Sequence, residues 1–253
     1  MNRYFDHEMG FSDLFKRSFR LHYLTLKHTI PCILFITIAK YISASLIGLF
    51  QNIFVQAVIY IAAIAVIAYF FAVALLETHR SFIDKPQSIR DAIKTVWKRI
   101  TPIATTFVAY IIGGIIVFIF MQSLLFAAGK IFQPSSNLQL FLWIIKSIFL
   151  MVYIAVLYFS FPLTIIDETP VFKAFYNSAV LTEKQKWGVF VLFFIFSAIV
   201  LLLTPGTINE YFLSVYHLDI LFDFVVLCVA IPLYINLLLL LMHNAKLQVV
   251  FDD

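Results

Sequence analysis

Long apolar runs alternate with short polar stretches along the whole chain, and this pattern predicts six membrane-spanning helices. Each run is long enough to cross a bilayer, which takes about 20 mostly apolar residues in a helix. We expect helices rather than strands, because hydrocarbon offers backbone groups no hydrogen-bonding partner and the sequence lacks the alternation typical of a barrel strand. The predicted spans are Thr29–Phe50, Phe54–Leu76, Pro102–Ala127, Leu138–Ile166, Trp187–Thr204 and Leu218–Met242.

Three of the polar stretches carry residues at the spacing i, i+3, i+4, i+7, i+8 that is typical of an amphipathic helix. The three sets begin at Phe11, Ile89 and Val171, and each precedes a pair of predicted spans. We therefore interpret the chain as an all-α integral membrane protein with one membrane domain, residues 1–253. Its six transmembrane helices would form three repeats of a cytoplasmic amphipathic helix plus a transmembrane hairpin, at about residues 11–77, 86–166 and 169–243. The alternative is that the short helices are ordinary connections between spans.

The first two amphipathic helices combine a basic face with Phe, Trp and Leu on the other side. Such helices are suited to lie in the plane of anionic lipid headgroups, and the attraction should be weakest in the third unit, which has fewer basic residues. The pattern leaves open whether the apolar faces contact lipid or pack against the bundle. The residues predicted to form these interfacial helices are Phe15, Arg17, Arg20, Ile93, Lys94, Trp97, Lys98 and Phe175.

Composition and charge agree with a membrane protein and predict its orientation. The chain is 62% hydrophobic and 13% charged, whereas a soluble domain is about 45–50% apolar and about 25% charged. Most of the 18 lysines and arginines fall on the side of the bilayer that holds both termini, and the positive-inside rule assigns that side to the cytoplasm. We expect a multi-pass protein of a cytoplasmic membrane whose basic residues meet anionic lipids, with no nucleic-acid partner.

The segment FPLTIIDETPVFKAFYNSAVLTEKQKWGVFVLFF, residues 161–194, resembles a motif of bacterial six-span proteins. In that motif a span ends near a proline and an acid, a surface helix follows, and an aromatic residue enters the next span. The positions that match are Pro162, Asp167, Ala174, Ser178, Leu181 and Trp187. On these residues the chain resembles the YciC-like inner-membrane family and is similar to the membrane domain fused to some glycerophosphoryl diester phosphodiesterases.

This resemblance implies a bacterial inner-membrane protein with a part in envelope lipid homeostasis. The families supply no catalytic residues to carry over, and phosphodiesterase activity is not expected because no such domain follows. The sequence itself supports a non-enzymatic protein without a cofactor or metal site, since no nucleophile–base pair or nucleotide fingerprint is visible and the histidines are scattered. We interpret Cys32 and Cys228 as small buried hydrophobes.

Three charged residues inside predicted spans are the best candidates for a functional site. Lys40, Lys146 and Asp223 share a depth near the outer side of the membrane. Ionisable groups inside spans are costly and usually face the bundle interior or a water-filled cavity. The hypothesis is that one lysine pairs with Asp223, while the other faces an outer vestibule where an anionic headgroup or carboxylate could bind. The alternative is that the lysines extend to the interface unaided.

Together these features favour a protein that handles membrane lipids or organises the envelope, with membrane lipids, anionic ones among them, as its partners. A small-solute transporter or permease subunit is the alternative, because six spans and embedded charges are compatible with it. Seven glycines in 253 residues are few for a fold that needs broken helices, although Pro162 and Pro232 could kink spans four and six. The sequence predicts neither a protein partner nor an oligomeric state.

Overall fold

The computed structural model describes residues 8–85, 88–131, 145, 149, 152–192, 194 and 219–252, and these are helical apart from short connections. No β-strand occurs among them, so the prediction of an all-α protein is confirmed. The helices are α1 (Phe11–Leu49), α2 (Ile53–Phe82), α3 (Ile89–Lys98), α4 (Ile100–Ile131), α5 (Ser160–Ile166), α6 (Val171–Lys184) and α7 (Asp219–Asp252).

Four helical segments are long and apolar enough to cross a membrane, and they correspond to predicted spans one, two, three and six. Predicted span four is described only near its end, where Val152–Ile166 is apolar but shorter, and span five only near its beginning. The remaining parts of spans four and five lie outside the described residues. The four long segments are Phe11–Leu49, Ile53–Phe82, Ile100–Ser123 and Phe222–Val249.

The described residues divide into two compact units, of which the first comprises the chain up to Lys98 together with Phe190–Asp253. In this unit α1 packs along both α2 and α7. The buried residues of α1 recur mostly every three or four positions, as expected for one face of a helix. Residues 235–242 of α7 are all buried over two helical turns, so every face of that helix is covered there. The α1 stripe comprises Leu14, Ser18, Thr25, Thr29, Cys32 and Ile36.

The structure corrects the predicted boundary between the first amphipathic helix and the first span. The two form one continuous helix of 39 residues, α1. No glycine or proline lies between Phe19 and Thr29, so nothing in the local sequence ends the helix there. Pro31 falls inside the helix, although proline cannot donate to the carbonyl four residues earlier.

The α3 helix is fixed to α2 by its apolar face. Ala92 and Val96 are fully buried, and the Tyr69 hydroxyl donates a hydrogen bond to the carbonyl of Ile93 at 3.0 Å. Ser88 caps the start of the helix, because its hydroxyl accepts a hydrogen bond from the amide of Asp91 at 3.3 Å. The positions Ala92 and Val96 therefore face the protein.

The second unit, Arg99–Val189, contains α4, α5 and α6. The buried hydroxyls of Thr106 and Thr164 lie 3.1 Å apart where α4 meets α5. Further along α4, Gly113 and Gly114 leave room for the ring of Tyr153, whose hydroxyl donates to the carbonyl of Tyr110 at 2.7 Å. This glycine pair therefore serves close packing, which allows an aromatic ring to lie against the α4 backbone.

Candidate functional site

Lys40 of α1 and Asp223 of α7 form an ion pair. The Asp223 side chain is 5% exposed and that of Lys40 is 30% exposed. The hydroxyl of Tyr41 donates a second hydrogen bond to the same carboxylate oxygen at 2.9 Å. The Lys40 ammonium nitrogen also lies 5.7 Å from the centre of the Tyr41 ring. The buried carboxylate thus receives one cation and one hydroxyl, while part of the lysine side chain reaches the surface of the described unit.

Two asparagines of α7 determine which residues of α1 meet it. The Asn236 side chain donates to the carbonyl of Ser18 at 3.0 Å and accepts from the Thr25 hydroxyl at 2.5 Å. The Asn244 side chain accepts from the amide of Met9 at 2.9 Å and donates to its carbonyl at 3.1 Å. Asparagine side chains that pair across helices stabilise one register, because a shifted register would leave these buried groups unpaired. That register brings Lys40 beside Asp223.

An apolar layer separates the ion pair from the Asn236 contacts. Ile33 and Ile36 of α1 pack against Leu227 of α7. The two helices are antiparallel. The layer therefore lies between Thr25 and Lys40 in α1, and between Asp223 and Asn236 in α7. In the part of this unit that the structure describes, the layer interrupts the row of polar groups. Around this core lie Ile67, Phe70, Phe224, Cys228 and Ile231.

A second buried acid, which the sequence analysis missed, lies between α1 and α2. The Glu77 side chain is 8% exposed, and its Oε1 atom lies 3.4 Å from Nδ1 of His28. Its other oxygen is buried, with no hydrogen-bond partner among the described residues. The sequence signal was an acid directly after the predicted end of span two at Leu76. The helix instead continues to Phe82, so Glu77 stays among packed side chains.

The chain breaks its helix at residues 157–159, three residues before Pro162. Val156 and Phe159 would normally bond along the helix, but here both bond to Ser178 of α6. The Ser178 hydroxyl accepts from the Phe159 amide at 2.9 Å and donates to the Val156 carbonyl at 2.8 Å. The Thr182 hydroxyl donates to the carbonyl of Ala155 at 3.1 Å. Broken backbone at membrane depth is tolerated where protein groups satisfy it in this way.

The predicted interfacial residues fall into two groups. Lys94, Trp97 and Lys98 form an exposed stripe on α3, and Arg20 is exposed on α1. Phe15 is 37% exposed. The side chains that are only partly exposed are those of Arg17, Ile93 and Phe175.

The inner positions of all three amphipathic segments are buried in protein, which answers the question that the pattern left open. Leu14 in α1, Ala92 in α3 and Ala174 in α6 each have no exposed surface. Their outer faces keep aromatic residues exposed, with Trp97 of α3 at 66% and Tyr176 of α6 at 71%. Aromatic side chains of this kind are enriched where proteins meet the headgroup region.

Lys146, the third residue of the predicted charge site, lies outside the described residues. Among those that are described, no group of three histidine, cysteine or acidic side chains could hold a metal ion. Cys32 is buried and Cys228 partly buried, each as a free thiol. The described charge site therefore consists of Lys40, Asp223 and Tyr41.

Comparison with known proteins adds no relative. No model of a protein family matches the chain, and neither a curated protein nor a solved structure matches it significantly. The resemblance to the YciC-like family thus stays a prediction carried by residues 161–194. Function has to be argued from the sites themselves.

Proposed function

We propose that this chain is a non-enzymatic, multi-pass protein of a bacterial inner membrane that binds membrane lipids and takes part in lipid handling or envelope organisation. The observation that carries the proposal is the partly exposed side chain of Lys40, whose ammonium group pairs with the buried carboxylate of Asp223. A charged lysine at this depth costs free energy, and charged residues inside membranes usually mark functional sites.

The chemistry of the Lys40 site suits a lipid headgroup. An ammonium group carries three N–H donors, and phosphate oxygens accept such hydrogen bonds. Tyr41 donates its one O–H to Asp223, to which Lys40 is also bonded, so the buried carboxylate positions both side chains on α1. A headgroup phosphate or carboxylate that approaches Lys40 would therefore meet its ammonium group.

Six spans in three repeats, with both termini cytoplasmic, belong to the same proposal. It is supported by the way in which α2 and α5 end. Each is followed by a non-glycine residue in the left-handed region, Asp84 at φ 54° and Glu168 at φ 55°, and then by an amphipathic helix. Such a residue commonly ends a helix, and Asp tolerates that conformation better than most side chains. Two helix ends of this kind before α3 and α6 are expected if these segments repeat one another.

A small-solute transporter is the second candidate, and the broken helix before Pro162 favours it. Discontinuous helices line the substrate sites of many transporters, because their free backbone groups can bind ions and solutes. Here, however, Ser178 and Thr182 already occupy backbone groups at the break. The apolar layer of Ile33, Ile36 and Leu227 also interrupts the polar groups between α1 and α7. These contacts favour lipid binding over solute passage.

The test is the lipid composition that co-purifies with the full chain, compared between wild type and a variant that lacks the charge site. Lys40→Met alone would leave Asp223 buried and unpaired, so the variant is Lys40→Met combined with Asp223→Leu, which removes both charges. Lys85→Met, an exposed lysine after α2, is the matched control. We expect an anionic lipid that is enriched over the bulk membrane in wild type and control, and that co-purifies with the double variant in a smaller amount per chain.

A co-purified lipid profile that matches the bulk membrane in wild type would refute lipid recognition. An anionic lipid that co-purifies with the double variant in the same amount per chain as with wild type would show that Lys40 does not bind it. Solute uptake by vesicles that contain the wild-type chain, abolished in the same variant, would favour the transporter instead.

A further inference from the structure

A shallow groove runs along the outer surface of α1, on the side away from the other helices of its unit. Its volume is about 260 Å³, and a single helix forms it over little more than two turns. Tyr23 is 82% exposed and Ile30 is 41% exposed, so the groove opens outward. The residues that line it are Tyr23, Leu26, Lys27, Ile30 and Pro31.

Among the described helices of this unit, neither α2 nor α7 contacts the face of α1 that carries the groove. At about 100° per residue, the face lies opposite the buried stripe of α1. The α7 helix meets that stripe at Thr25, whereas α2 meets α1 at His28 and Phe35, about a quarter turn or more from the groove. This outward face comprises Lys16, Arg20, Tyr23, Lys27, Ile30, Leu34 and Ile38, all of them exposed.

Polarity changes along this face in the same order as in a phospholipid. Toward the N-terminus it carries Lys16, Arg20 and Lys27, and beyond Lys27 it is apolar. Lys16 has an acidic neighbour, Asp13, at 3.9 Å, so Arg20 and Lys27 supply most of its positive charge. Lys27 lies two residues before the predicted span, where lipid phosphates are located. From there to Leu34 the helix rises about 10 Å, so an acyl chain could follow it inward.

We infer that this groove binds one anionic phospholipid, with its phosphate at Lys27 and Arg20 and an acyl chain along Ile30 and Pro31. The charge of the face selects the ligand class, because basic side chains at a membrane surface attract anionic headgroups. The Tyr23 phenol adds a hydrogen-bond donor at the same level. This site is separate from Lys40, which lies 13 residues further along α1, about 20 Å away. The inference does not depend on lipid binding at Lys40.

The inference can be tested by native mass spectrometry of the full chain in detergent. The probes are phosphatidylglycerol and phosphatidylcholine with identical acyl chains. The wild-type chain should bind its first molecule of phosphatidylglycerol more tightly than its first molecule of phosphatidylcholine. Lys27→Gln should weaken phosphatidylglycerol binding about fivefold and leave phosphatidylcholine binding unchanged. Lys27→Arg should keep the preference, and Lys85→Gln is the control for loss of an exposed lysine.

A second variant tests the groove rather than the charge. Ile30→Trp fills the apolar part with a larger side chain and should weaken the binding of both lipids, without a change in melting temperature, because Ile30 faces outward. Equal affinity of wild type for the two lipids would overturn the inference, and so would an unchanged phosphatidylglycerol affinity in Lys27→Gln.

The two lipid sites can be told apart in the same experiment. If Lys40→Met with Asp223→Leu weakens phosphatidylglycerol binding and Lys27→Gln does not, the groove inference is wrong and the proposed function stands. If only Lys27→Gln weakens it, the groove is the anionic lipid site and headgroup binding at Lys40 is refuted.

Discussion

Ser178 of α6 completes the backbone hydrogen bonding of Phe159, which lies in the break before α5. Its hydroxyl accepts from the Phe159 amide at 2.9 Å and, as a donor, reaches the Val156 carbonyl at 2.8 Å. Ser178 has no exposed surface, so water cannot replace it. One side chain thus bonds to backbone groups on both sides of the helix break.

Replacing Ser178 with alanine should therefore destabilise the second unit. The change would leave a buried amide without its acceptor and a carbonyl without one of its donors, which costs about 1–3 kcal/mol. The measurement is thermal unfolding of the detergent-solubilised protein. Ser123→Ala is the control, because Ser123 also donates to a backbone carbonyl but is exposed on α4. Equal melting temperatures for the two variants would show that the Ser178 bonds are not needed.

The Lys40–Asp223 ion pair should behave as a coupled unit. Asp223→Leu and Lys40→Met should each lower stability, by about 3–5 kcal/mol for a fully buried pair and less here because Lys40 is partly exposed. Lys40→Met combined with Asp223→Leu should recover most of the loss, since no unpaired charge remains. Unfolding in a denaturing detergent titration of all three variants gives the coupling energy. If the stability lost in the double variant equals the sum of the losses in the two single variants, the pairing is contradicted.

Gly113 should not tolerate a methyl group, whereas Gly114 should. A Cβ atom at Gly113 would overlap the phenol oxygen of Tyr153 and lie 3.0 Å from its ring carbon Cζ, while at Gly114 the nearest ring atom is at 3.5 Å. The Tyr153 ring cannot move aside without losing its bond to Tyr110. Overpacking of this kind costs about 1–3 kcal/mol. Melting temperatures should therefore fall for Gly113→Ala and stay level or rise for Gly114→Ala, and the reverse order would refute the packing.

Asn244 should hold the start of the chain against α7. Asn244→Ala removes both hydrogen bonds to Met9, so hydrogen exchange in residues 8–14 should become about tenfold faster or more. Gln248→Ala is the comparison, because the hydrogen bond of Gln248 to Glu8, at 3.2 Å, is exposed. Exchange by mass spectrometry should separate the two variants. Similar exchange in both would show that the N-terminal segment is held by something else.

Several of these contacts could be anticipated from the sequence, and others could not. A lysine and an acid at one predicted depth gave reason to expect a pair with Asp223, and the structure brings Lys40 to it. Asn236 and Asn244 gave no comparable signal, although an asparagine within an apolar helix is a polar group that needs a partner. Glu77 was overlooked because the apolar run ends just before it, and hydropathy alone does not show that the helix continues beyond the run.

By itself, the sequence determined the all-α class and the positions of four long apolar helices. These follow from composition and from the demand that every backbone group in hydrocarbon be bonded within its own segment. The structure alone decided that α1 is continuous through Pro31, that Asn236 meets Ser18 and that Ser178 meets Phe159. The last two contacts depend on how helices rotate and slide against one another. Asn236 and Ser18, for example, lie 218 positions apart in the chain. Local hydropathy carries no information about that rotation, because it is set by the packing of both partners at once.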